Sequence, residues 1–237
     1  MMRFVLWAAL SCAVWPTMVL ASEPIVIEMS RSRNLQAANL AEKADKEVSK
    51  GDLVNARRDI EQAMRGDPAY WPALFTRAKL FAREHQWQRV IDDCSAGLKQ
   101  APSFFEFAIL RAEANAALGR CAAALAELNH VIGIFSPRVQ PLADAFSQRA
   151  WLRVTCKDSS IRNSQQAISD AERACRLMHW NDADQIDTLA AAYADAGDFT
   201  SAMRYEEQAM KAPDAKQVSS VLQQHLALFA HHRKISP

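Results

Sequence analysis

Three prolines set the rhythm of this chain. Pro68 and Pro102 lie 34 residues apart and Pro137 follows 35 residues later, each after an apolar pattern of helix length. Proline lacks the amide proton and restricts the residue before it, so at the end of a helical segment it stops the helix. Between the prolines a second signal recurs. Lys50-Gly51-Asp52, Leu118-Gly119-Arg120 and Ala196-Gly197-Asp198 each read as a tight turn joining two helical patterns. A chain that repeats a helix-turn-helix unit at this period is read as a stacked array, because a single unit cannot bury its own apolar face.

Composition agrees with that reading. Half of the 237 residues are apolar, which is too many for a disordered chain. Only six glycines occur and alanine comes in pairs and triplets, which favours helix over sheet. The formal charge is +1 and no basic stripe stands out, so nothing points to nucleic acid as a partner.

With this period the chain resembles the tetratricopeptide repeat (TPR) family, whose helix-turn-helix unit places small residues at positions 8, 20 and 27 and proline near 32. A first unit begun at Ala37 puts Ala44, Ala56, Ala63 and Pro68 in those places. A second, from Trp71, supplies Ala78, Val90, Gly97 and Pro102, and a third, from Phe105, supplies Ala112, Ala124, Val131 and Pro137 one residue late. A fifth, from Ala183, supplies Ala190, Ala202, Ala209 and Pro213 one residue early. The fourth is irregular: helices over about 142–155 and 162–178 bring Ala150, Ala167 and Ala174 into register only with a loop about five residues longer, an insertion that costs little closure entropy. After Pro213 the stripe Val218, Val221, Leu222, Leu226 and Phe229 reads as a helix covering the last repeat. The resemblance therefore implies an all-α fold: a right-handed superhelical solenoid of about five TPR units and a C-terminal capping helix. The units fall at about 37–68, 71–102, 105–137, 142–179 and 183–213, in an array over 34–213, with the capping helix and tail in 214–237.

The beginning of the chain reads as a targeting segment. Met1-Met2-Arg3 precedes an apolar run from Phe4 to Leu20, broken by Pro16, and Val19-Leu20-Ala21 suits cleavage before Ser22. A signal peptide over 1–21 is expected, followed by a mobile lead-in over 22–33. Export to the periplasm or beyond follows, with no membrane insertion after cleavage, and an N-terminal membrane anchor is the alternative. Loss of 1–21 removes only Arg3 among the charges, so the 28 basic residues fall level with the 27 acidic ones. Cys94, Cys121, Cys156 and Cys175 remain; in an exported protein they permit two disulfides, and buried free thiols are the other reading. Their spacing is not that of a metal site.

One charge pattern runs through the units. Position 7 holds Lys43, Arg77, Arg111, Arg149 and Leu189, while position 23 holds Asp59, Asp93, Glu127, Asp170 and Tyr205. Four units pair a base with an acid and the fifth replaces both at once. An ion pair between the two helices of each unit is expected, since removing one half of a buried pair is costly.

No catalytic constellation emerges. The turn and packing positions account for the glycines, and neither G-x-S-x-G nor H-E-x-x-H occurs. His225, His231 and His232 share one C-terminal stretch, but no carboxylate or thiol stands near them at ligand spacing, so no metal and no cofactor are expected. What remains is surface. By resemblance, first-helix positions of a TPR array face a concave groove that holds a peptide or protein segment. Here the groove candidates are Phe75, Lys79, Arg83, Ile109, Glu113, Ser147, Trp151 and Asp187, with Phe75, Ile109 and Trp151 as an apolar floor. The neighbouring slots hold Asp45, Glu106, Asp144, Asp184 and Asp195. The basic-and-asparagine clamp that some members use for a C-terminal carboxylate is not matched, because Asp45, Thr76 and Leu110 stand in its slots. The expected role is a non-enzymatic interaction scaffold in the cell envelope, with a structural subunit of a larger envelope or secretion assembly as the alternative.

Overall fold

A computed structural model describes the backbone of residues 23–65, 67–134 and 138–235, with side chains described from residue 35 onward. The expected signal peptide lies outside the described residues, as do Gly66 and Pro137. Among the described residues there are eleven α-helices, one short 3-10 turn and no strand. Consecutive helices pair: α1 (Glu23–Lys50) with α2 (Leu53–Ala63), α3 (Trp71–Arg83) with α4 (Trp87–Gln100), and α5 (Glu106–Ala117) with α6 (Cys121–Gly133). The pairs α7 (Val139–Thr155) with α8 (Ser164–Leu177) and α9 (Ala183–Ala196) with α10 (Phe199–Ala209) follow. First helices also touch the first helices of the next unit, α1 on α3 and so on to α9. That is the stacking of a solenoid. No described helix is long and apolar enough to cross a membrane.

The caps follow the sequence. Asp52, Asn163, Asp182 and Asp198 each accept a hydrogen bond from a backbone N–H in the first turn of the helix they precede. Gly197 ends α9 at φ 87°, a left-handed conformation that costs glycine nothing. In the second unit His85 takes the corresponding turn at φ 56°, so the turn geometry is retained without glycine. One boundary differs from expectation. Helix α1 starts at Glu23, so 23–33 of the expected lead-in is helical, and Pro24 sits in its first turn, where a missing N–H does no harm.

The small positions are packed. Ala44, Ala78, Ala150, Ala190, Ala56, Ala124, Ala167, Ala202, Ala174 and Ala209 are wholly buried, as is Val90 at a position that alanine fills in the other four units. Gly97 shows how close the approach is. A Cβ built there would lie 2.1 Å from the Phe107 ring tip and 2.4 Å and 2.5 Å from the adjoining ring carbons. Phe107 itself is fully buried and packs edge-on against Phe75 and Phe104, so it has nowhere to go.

The expected ion pairs form in all four units. Arg77 grips Asp93 through two bonds of 2.8 Å and 2.7 Å, and Arg149 grips Asp170 likewise. Arg111 reaches Glu127 at 2.8 Å and Lys43 pairs with Asp59. Arg153 joins Asp170 as a second partner. In the fifth unit Leu189 is buried and Tyr205 stacks on Tyr193 and Trp180. Both side chains belong to one apolar cluster, which stands where the charge pair would.

The cysteines divide, which corrects both readings that treated the four alike. Cys121 and Cys156 form a disulfide, whereas Cys94 and Cys175 are buried free thiols. The bonded pair lies at helix ends, the start of α6 and the residue closing α7, where two backbones meet. The free pair lies inside α4 and α8.

The final helix, α11 (Ser219–Ala230), packs on α10 and α9 and buries Leu222 and Phe229 against the last unit. Val221, expected on that buried stripe, is instead 44% exposed.

Two outcomes are expected. Gly97→Ala destabilises the protein by about 1–3 kcal/mol in chemical denaturation, because overpacking against Phe107 outweighs a helix-propensity gain of about 1 kcal/mol. Adding Phe107→Leu to that variant recovers part of the loss. Reduction of the Cys121–Cys156 bond lowers stability by about 2–4 kcal/mol, and Cys121→Ala/Cys156→Ala shows the same loss without reductant.

Candidate functional site

The first helices present their faces to one side of the array, and α11 closes its C-terminal end. Between α5, α7, α9 and α11 lies a groove of about 1080 Å³. Four of the eight groove candidates line it: Glu113, Ser147, Trp151 and Asp187. Trp151 is half-buried on α7, with the His225 ring 6.2 Å from its own, and Ser147 bonds Thr188 across the unit boundary.

The other four sit elsewhere. Phe75 belongs to an aromatic cluster with Phe104 and Phe107, at ring distances of 5.0 Å and 5.2 Å. Lys79 pairs with Asp45 and lies over the Phe75 ring. Ile109 is buried in the core of the third unit. Arg83 acts at a distance, as the positive charge that partly offsets the desolvation of Glu113. Of the neighbouring slots, Asp184 lines the groove. Asp195 does not: it is buried and held by Arg162 and Ser164, each at 2.5 Å.

Residues that are not on the first helices complete the wall. Val221 and His225 of α11, Trp87 of α4 and Lys157-Asp158 after α7 all line the groove. The apolar run 218–229 was the only sequence signal for α11, and it carried no direction for its exposed edge. His225 turns inward, its Nδ1 2.6 Å from Asp187 Oδ1. His232 goes elsewhere, stacking on Phe199. The three histidines therefore do not gather.

The electrostatics of this end are acidic. Burial pushes the Asp144 carboxyl up to about 6, against hydrogen bonds from Gln140 and Gln185 that favour its ionised form. Burial also raises Asp182 and Asp184, helped by mutual repulsion with Asp214 and, for Asp184, Asp187. Glu113 is open to solvent yet recessed in the concave surface, so surrounding protein raises it too. Deepest of all is Glu206 of α10. It is fully buried, neither of its oxygens meets a donor among the described residues, and burial with Asp187 beside it pushes its carboxyl up to about 10. Glu206 was absent from the sequence-based candidates because it lies on a second helix, away from the face that resemblance assigns to ligands.

No protein-family model matches the chain, and no curated protein matches it significantly. Solved structures do. TTC0263, a thermophilic TPR protein of Thermus thermophilus, superposes with TM-score 0.66 at 17% identity, over 81% of this chain and all of that one. PilF of Pseudomonas aeruginosa gives 0.63 at 12%, over 84% and 91%. A tetratricopeptide repeat protein from Parabacteroides merdae gives 0.55 at 18%, over 84% and 73%. The fold of this chain is the TPR solenoid.

A pH dependence follows from Asp144. Its folded pKa of about 6 exceeds the ordinary 3.8, so between those values the folded chain holds a proton that the unfolded chain releases. Its contribution to stability therefore falls as pH rises through that window. Asp144→Asn is expected to melt higher than wild type at pH 7.5, with the difference vanishing below about pH 4, in thermal melts across pH.

Proposed function

We propose that this chain is a non-enzymatic scaffold that binds a peptide or protein segment in the groove between α5, α7, α9 and α11. The observation that carries the reading is the composition of that groove. Trp151 and Val221 offer partly exposed apolar surface, while Glu113, Asp158 and Asp184 place carboxylates around it against a single lysine, Lys157. A partly exposed tryptophan in a concave site is a residue type enriched among the anchors of partners. A ring of carboxylates selects a segment carrying lysine or arginine beside its apolar side chains. Proteins of the TPR fold are mostly interaction scaffolds rather than catalysts.

The compartment belongs to the same proposal. The residues before Ser22 have the character of an export signal, and the Cys121–Cys156 disulfide suits an oxidising environment such as the periplasm. Intact mass of the purified native protein reports both features: a chain that begins at Ser22 and carries one disulfide supports export. A full-length reduced chain in the cytosolic fraction contradicts it.

In-cell crosslinking with mass spectrometry tests the groove, comparing wild type with Trp151→Ala and with Val221→Asp, each checked for unchanged helicity. A partner captured by wild type and lost at least tenfold in both variants locates binding in the groove; recovery that falls with salt supports a basic segment. Equal capture by all three moves the site to the convex face or the ends, and with it the role to that of an assembly subunit.

A further inference from the structure

The fifth unit departs from the others at two positions that meet in space. At position 5, Ala41, Phe75, Ile109 and Ser147 give way to Asp187, and at position 24, Ile60, Cys94, Leu128 and Ala171 give way to Glu206. All four of the residues that Glu206 replaces are small or apolar and buried, so a carboxylate there has no counterpart in the array. Asp187 on α9 and Glu206 on α10 face one another, acceptor toward acceptor, and among the described residues neither Glu206 oxygen has a donor. A buried carboxylate pair of this kind has to hold either a shared proton or a cation. His225 comes from α11, outside the repeats, and its Nδ1 lies 2.6 Å from Asp187. One ligand atom from each of the three residues lies within 4.8 Å of the other two.

We infer that Asp187, Glu206 and His225 form a binding site for a divalent first-row transition cation, with Zn²⁺ as the representative ion. Two carboxylates match a double positive charge. The imidazole favours a borderline metal over Mg²⁺ or Ca²⁺, which prefer all-oxygen sites. About an ångström of side-chain movement brings the three atoms to the spacing of a cation held at about 2.0–2.2 Å. Three protein ligands leave a fourth tetrahedral position, and Asp187 and His225 both border the groove, so that position opens toward it. The ion joins three helices: α9 and α10 of the last unit and the α11 cap. The competing occupant is a proton held between Glu206 and Asp187.

Titration of the metal-stripped full chain with Co²⁺ and Zn²⁺ decides between them. The expected result is saturation at one equivalent, a visible tetrahedral Co²⁺ absorption band that Zn²⁺ abolishes, and a higher melting temperature with Zn²⁺ but not with Mg²⁺ or Ca²⁺. Glu206→Gln and His225→Ala, each with helicity confirmed, are expected to weaken Zn²⁺ binding at least tenfold, whereas His231→Ala/His232→Ala leaves it unchanged. Three results overturn the inference. One is the absence of saturation at one equivalent in wild type. Another is equal Zn²⁺ affinity in Glu206→Gln, and the last is loss of binding in the His231/His232 variant, which places the ion on the exposed tail. A Glu206→Gln chain that melts higher than metal-free wild type, with no response of wild type to Zn²⁺, assigns the pocket to the shared proton.

Discussion

Close approach between helices is the constraint on which this structure depends. Each unit has an apolar face that it cannot bury alone, and the faces meet only where side chains at the contact are small. Ala44, Ala78, Ala150 and Ala190 recur at one such contact, all with no exposed surface. Gly97 marks the tightest point, because the ring of Phe107 occupies the volume a methyl group would need. Stacking in turn fixes which residues face the concave side, and so determines the groove.

The polar contacts are arranged around that packing. A base on the first helix and an acid on the second clamp each of the first four units at one level. In the fifth unit the clamp is apolar, and its carboxylates appear instead at two positions that are otherwise small or apolar, apart from Ser147. That exchange places Asp187 at the C-terminal end of the groove beside Asp184, while burial holds Glu206 behind it in its protonated form. It also brings the carboxylates against the cap, where His225 answers one of them. The end of the array is thus electrostatically unlike its middle.

Much of this was legible in the sequence. The spacing of Pro68, Pro102 and Pro137 and the small residues between them defined the unit, and the joint change of position 7 with position 23 pointed to the ion pairs. Trp151, Glu113, Ser147 and Asp187 were named for the groove through the resemblance to TPR arrays, and all four line it. Phe75 and Ile109 were named with them, yet Phe104 and Phe107 of the following unit close over one and the third-unit core surrounds the other. Register gives direction but not coverage.

By itself, then, the sequence determined the repeat: its period, its number, its turns and the charges within each unit, all of which depend on neighbours a few to about twenty residues apart. Tertiary structure decided which cysteines meet, how α11 lies across the last unit and which carboxylates share a buried space. Cys121 reaches Cys156 across the boundary between the third and fourth units, 35 residues on, and His225 reaches Asp187 from 38 residues away, outside any repeat. Neither contact joins equivalent positions of two units, so the repeat pattern does not betray them. They arise from the accumulated rotation of stacked units and from the angle at which the final helix returns, and both are properties of the packed chain.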